Sequence, residues 1–448
     1  MIRIAMLIFT IFIHTICFSQ KKQTLISNDD LLFLKTITSA VIDSSRIFPG
    51  QAIPSFGENN TGGVLIRPGG RNAYPSFWIR DYAMALETGF ITAKEQKHML
   101  LLAASTQCDQ TWITKNGSLI PLGAIADHIR IDNSLPIYYP GTYSYEEQGT
   151  KQFGTTPPYC DQFYFVHMAY NYVKTTSDVV LLNKDINGTR LIDRLEIAFK
   201  VPPVRADNHI VYTNDAFRGV DFGFRDAEEI TGDLCFASLL KYRAASEMAE
   251  LFTMIHQPLK ADRYKQIASA IKKALPSTFA DEKGMLRAST GKSKQADTWS
   301  TAYAVWLNVL EGDDLTKACQ ALSDAYEKGT LAYKGNIRHI LITDDFNEKT
   351  AWEISLSRKN EYQNGAYWGT PTGWVCYAIA LVNQKNAQQL AKAYIDDLRE
   401  NDFRKGGEAA APYECFYPPS HQQNPLYMTT VACPYIVFKA ARFRSSAP

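Results

Sequence analysis

The feature that most constrains this chain is a rhythm of apolar residues at helical spacing. It is interrupted alternately by very short turns and by long loops rich in Gly and aromatic residues. The spacing predicts helices over 31–47, 77–90, 93–107, 160–174, 190–200, 233–255, 260–275, 298–310, 314–328, 372–382, 387–401 and 427–443. Few stretches alternate cleanly as strands, 63–66 being one. Paired helices of this number close naturally into an all-α double ring, an (α/α)6 toroid, with the long loops gathered at one end. No Pro- or Gly-rich linker divides the chain, so one catalytic-size domain is expected over 25–445. No constant repeat period marks a solenoid.

The first residues read as an address. Arg3 precedes a nearly all-apolar run from Ile4 to Ile13, and Ser19 offers a small residue for cleavage before Gln20. A signal peptide over 1–19 is therefore expected, with export to the periplasm or the medium. The run is shorter than the ~20 apolar residues a membrane anchor needs. Ile16 and Phe18 fit a lipid-attachment site at Cys17 poorly.

Charge excludes some partners. Lys plus Arg (47) nearly cancels Asp plus Glu (46), so no overall field favours nucleic acid or an anionic membrane. The remaining cysteines, at 108, 160, 235, 319, 376, 415 and 433, form neither a Cys-x-x-Cys pair nor a zinc cage, and no His cluster appears. No metal or cofactor is called for. With 7 Trp, 24 Tyr and 23 Phe the chain has the aromatic surface that core packing and sugar clefts both use.

Four stretches carry the chemistry. In Trp78-Ile79-Arg80-Asp81 the guanidinium fork and the carboxylate can clamp vicinal hydroxyls and Trp78 can stack on a sugar; a helix-start ion pair is the plainer reading. The loop 220–233 crowds Asp221, Asp226, Glu228, Glu229 and Asp233 among Phe222 and Phe224, which should raise at least one carboxyl toward a proton donor's range. Tyr367, Trp368 and Trp374 sit among small residues as a flat aromatic wall, and Glu414 is boxed in by aromatics before the last helix. Asp161, at a helix start, is a weaker candidate.

The order of these motifs resembles the six-hairpin glycosidases, the glucoamylase- and trehalase-like inverting hydrolases. Trp78-x-Arg80-Asp81 is similar to the element that binds the reacting sugar there. Glu228-Glu229-x-x-Gly232 resembles the segment whose first Glu is the general acid and whose second contacts the leaving group. The 367–371 stretch resembles their aromatic wall, and Glu414 stands where they keep the general base. The chain departs from the pattern at Ala227, where glucoamylases have Trp, and at Asp226, which leaves the acid open between Asp226 and Glu228. The resemblance implies a carbohydrate substrate and an inverting acid/base pair. A sugar-binding protein without activity, a phosphorylase, or a lyase or epimerase using His128, His167 or Tyr367 would suit the same fold.

Overall fold

The computed structural model describes residues 24–69, 73–150, 154–419 and 421–444. The expected signal peptide and Cys17 lie outside them. Twelve α-helices occur among the described residues: α1 (Asn28–Ser44), α2 (Ile79–Ala85), α3 (Ala93–Ser105), α4 (Tyr159–Thr176), α5 (Leu191–Phe199), α6 (Cys235–Met254), α7 (Pro258–Phe279), α8 (Thr298–Trp306), α9 (Gly312–Glu327), α10 (Thr372–Ala380), α11 (Gln384–Glu400) and α12 (Met428–Arg444). Each corresponds to a helix expected from spacing. Boundaries moved where capping decides them: α1 begins at Asn28 because Ser27 accepts from the Asp30 N–H, and α3 follows a Thr92–Glu95 capping box.

The helices form two rings. α2 packs on α4, α4 on α6, α6 on α8, α8 on α10, α10 on α12, and α12 returns to α2. The odd-numbered helices pack outside this cycle, α7 on α6 and α11 on α10 among them. The sequence explains the division. All nine residues of α8 and all seven of α2 are buried, as befits a helix enclosed on every side. In α11 the buried apolar positions 387, 390, 391, 394, 395 and 398 follow one stripe and the other face meets solvent. Each Leu or Ile sealed along such a seam contributes roughly 1.5–3 kcal/mol.

Mostly short connections (86–92, 255–257, 307–311, 381–383, with 177–190 longer) follow the inner helices, whereas long ones (45–78, 106–158, 200–234, 280–297, 328–371, 401–427) precede them. Every inner helix therefore starts at the same end of the ring, where all the long loops collect. Small antiparallel ladders stiffen those loops, which the all-α expectation did not include. The largest is a five-stranded sheet ordered 332–333, 336–338, 367–368, 413–417, 421–425; another sets 76–78 beside 128–130. Most of these strands are two or three residues long, too short for alternation to be visible in sequence.

The seven cysteines from 108 to 433 are free and buried. Among the described residues no helix is long and apolar enough to cross a membrane, and no group of three or more His, Cys, Asp or Glu is arranged to hold a metal.

Candidate active site

At the loop-bearing end lies a cleft of about 390 Å³, walled by Tyr74, Trp78, Tyr143, Tyr362 and Tyr427 and carrying Asp81, Asp226 and Glu414. Five separate parts of the chain, 74–81, 143, 226, 362 and 414–427, supply these groups, so the ring brings distant carboxylates to one space.

Arg80, in the first turn of α2, organises the floor. Its guanidinium donates to Asp127 and, at 3.2 Å, to Asp226, with Asp161 at 3.7 Å and Asp81 at 3.9 Å. The fork is thus engaged by carboxylates and orders them, which favours the ion-pair reading of the sequence over hydroxyl clamping. Gly223 permits the approach of the 221–226 loop, because a Cβ there would lie 1.8 Å from Arg80 Nε. The same loop is tied from behind by Arg225, fully buried between Asp221 (2.9 Å) and the α8 N-cap Asp297 (2.7 Å).

These surroundings set the charges. Burial works against Asp127, but Arg80 and His128 hold its carboxyl below the usual range. Burial pushes Asp226 up to about 6, although Arg80 and the Gln363 amide, 2.8 Å away, pull the other way. Burial also raises Asp81, which accepts from Tyr427 at 2.7 Å. Asp161 is raised well above the normal range by burial and by Asp127, and one of its oxygens has no partner.

Glu414 faces Asp226 and Asp81 across the same space. It lies in the 413–417 strand and accepts from Tyr74 (3.0 and 2.9 Å), from Tyr362 (3.4 Å) and from Asn424 in the neighbouring strand. Burial lifts its carboxyl to about 8; the Asn424 and Tyr74 donors oppose that, and the Asp81 and Asp226 charges add to it.

The other expected site residues are distributed differently. Trp78 is on the cleft wall, but one face of its ring stacks on His128 (4.6 Å, 17°). His128 is also on the wall, with both ring nitrogens engaged, by Asp127 (2.7 Å) and the Thr142 carbonyl (2.9 Å). Glu228 lies behind the wall, accepting from Ser355 at 2.8 Å, with its second oxygen unpartnered; burial holds its carboxyl well above normal. Glu229 pairs with Arg218. Trp368 is fully buried against Phe224 and Trp299, and Tyr367 packs on Tyr333, so this stretch forms core and sheet rather than a cleft wall. Trp374 lies inside the ring beside Tyr303. His167 bonds Glu247 at 2.7 Å, away from the cleft lining. Asp127, Tyr74, Tyr143, Tyr362, Gln363, Asn424 and Tyr427 were not singled out from sequence. Only Tyr427, heading the last helix beside a carboxylate-bearing strand, had a positional signal.

No family model and no curated protein matches the chain. Solved structures do. A rhamnosidase from Klebsiella oxytoca with rhamnose bound superposes with a TM-score of 0.55 at 13% identity, covering 94% of this chain and 65% of that one. A GH78 rhamnosidase of a Bacillus species gives 0.55 at 10%, over 92% of this chain and 35% of its own length. The GH63 mannosylglycerate hydrolase from Thermus thermophilus, in complex with glucose, gives 0.52 at 10%, over 90% and 99%. The fold is that of the α/α toroid glycoside hydrolases. The chain spans less than two thirds of either rhamnosidase.

Proposed function

We propose that this protein is an exported, inverting glycoside hydrolase on an (α/α)6 six-hairpin toroid occupying about 25–445, with Asp226 and Glu414 as the acid/base pair. The observation that carries the reading is that two carboxyls, raised to about 6 and about 8, line one aromatic-walled cleft although one comes from the middle of the chain and the other from near its C-terminal end. A sugar held against Trp78 and the tyrosines would place its glycosidic oxygen at Asp226, which protonates it as the bond to the anomeric carbon breaks. Glu414 would take a proton from water, whose oxygen bonds the anomeric carbon from the opposite face. Glu228, behind the wall, supports the position of its ladder rather than touching sugar.

A second reading exchanges the two roles. It is favoured by one observation: Glu414 holds its proton to a higher pH than Asp226, as an acid should. Azide separates them, because an external nucleophile rescues the variant lacking the base and leaves the variant lacking the acid dependent on leaving-group acidity.

The activity is tested by release of product from a panel of aryl glycosides and oligosaccharides, beginning with rhamnosides and glucosides. Proton NMR of the first-formed sugar reads inversion directly. Binding without product release across the panel would favour a sugar-binding protein, and a phosphate-dependent rate a phosphorylase. Export rests on the leader-like residues 1–19 and is tested by fractionation and N-terminal sequencing of the mature chain.

A further inference from the structure

We infer that the leaving-group side of the cleft is built for an apolar substituent, an alkyl or aryl aglycone, selected by Leu356 and Ile354. The inference rests on the reading of Asp226 as proton donor.

The residues following Asp226 pair with the 354–356 segment. Glu228 opposes Ser355 and Glu229 opposes Ile354, and the Leu356 N–H donates to the Ala227 carbonyl at 3.0 Å, which carries the ladder one step further. Directly opposed residues of an antiparallel pair share a face, and successive residues alternate between faces. Glu228 and Ser355 therefore occupy one face and bond each other inward at 2.8 Å. Ala227, Glu229, Ile354 and Leu356 occupy the other, where Ala227 and Leu356 line the cleft.

That face is apolar and open. Leu356 is 43% and Ile354 45% exposed, and Glu229 is already committed to Arg218. Phe346, 38% exposed, belongs to the same loop. A proton donor must lie within hydrogen-bond reach of the leaving oxygen, so whatever that oxygen carries extends over the residues flanking the donor. Beside Asp226 these are a methyl group and two branched aliphatic chains. Ser357 and Gln363 also line the cleft nearby, but Gln363 is already bonded to Asp226 and to the Ala227 N–H. The open surface that a leaving group would cover is therefore mainly the Leu356 chain, with Ile354 beyond the lining on the same ladder face, and a hydrocarbon there would be taken from water.

The experiment is calorimetric binding of methyl to hexyl glycosides of rhamnose and glucose to the full protein bearing Asp226→Asn, with hydrolysis of the same series by the wild type. Affinity should rise roughly three- to fourfold per methylene over the first few carbons. The slope should flatten when Leu356→Asn or Ile354→Asn is added. Affinity that is undetectable or independent of chain length, or a slope that survives in both variants with unchanged circular dichroism, overturns the inference. A binding slope without hydrolysis by the wild type removes the hydrolase reading and keeps the apolar subsite; hydrolysis with a flat series removes only the subsite.

Discussion

Tyr74 shares its phenolic hydroxyl between both carboxylate oxygens of Glu414, at 3.0 and 2.9 Å, although 340 positions separate the two residues in sequence. With Asn424 and Tyr362 it gives a buried carboxyl three donor partners, so the cleft holds Glu414 in place while burial still raises it.

Glu414→Gln should reduce turnover at least about a hundredfold, since general acid or base catalysis contributes about 10²–10⁴. The same change should stabilise the protein in mild alkali. The folded chain keeps a proton on Glu414 up to about pH 8 that the unfolded chain releases near the ordinary Glu value of 4.5, so this group costs stability as pH rises through that window. Gln has no charge to bury. Thermal melts at pH 8 should show the inactive variant melting above the wild type, and equal melting temperatures would contradict the burial account.

The pH–rate profile should be bell-shaped, with limbs near 6 and near 8 belonging to the Asp226–Glu414 pair as a unit. Below about 6 both carboxyls are protonated and no base remains. Above about 8 both are ionised and no acid remains. Between the limbs the pair holds one proton, mostly on Glu414, so with Asp226 as donor the active form is the minor one, whereas with the roles exchanged it is the major one. A profile flat between pH 5 and 9 would separate these groups from the chemistry.

Gln363→Met removes the amide donor to Asp226 and the acceptor of the Ala227 N–H at 2.7 Å. Because that donor favours the ionised carboxylate, its loss should move the acidic limb to higher pH. A merely structural role would lower the rate and leave the limb where it was.

Arg80→Met leaves Asp81, Asp127, Asp161 and Asp226 around an uncharged side chain. Breaking such a buried arrangement costs about 3–5 kcal/mol. Arg80 holds Asp127 below its ordinary value, so this contribution is present above the usual carboxylate range and fades as pH falls toward and below it. Urea unfolding at pH 7 and at about pH 3, below the ordinary Asp value of 3.8, should show the deficit shrinking in acid.

All twelve helices were legible because burial on one stripe or on every side leaves a periodic trace over nine or more residues, or, for the short α2, an unbroken apolar run after Arg80-Asp81. The sequence also points to Trp78, Arg80, Asp81, Asp226 and Glu414, which the ring brings to one cleft, since charged residues among aromatics at loop–helix junctions are unusual. What escaped was anything decided by long-range pairing. Asp127 meets Arg80 beside a ladder of only three residues, and Asn424 meets Glu414 across two five-residue strands whose sequences do not alternate polar with apolar. Trp368 and Trp374 misled for a related reason: next to an inner helix, aromatics beside small residues fill the core of the ring, and composition cannot tell that from a wall.

The common orientation of the inner helices has an electrostatic consequence. Peptide dipoles aligned along each one place roughly half an elementary positive charge at its start, and those starts converge under the cleft. Their summed field helps a single arginine hold several buried acids beneath the cleft. Reversing one inner helix in a redesigned ring would weaken that support and drive the acids toward their neutral forms.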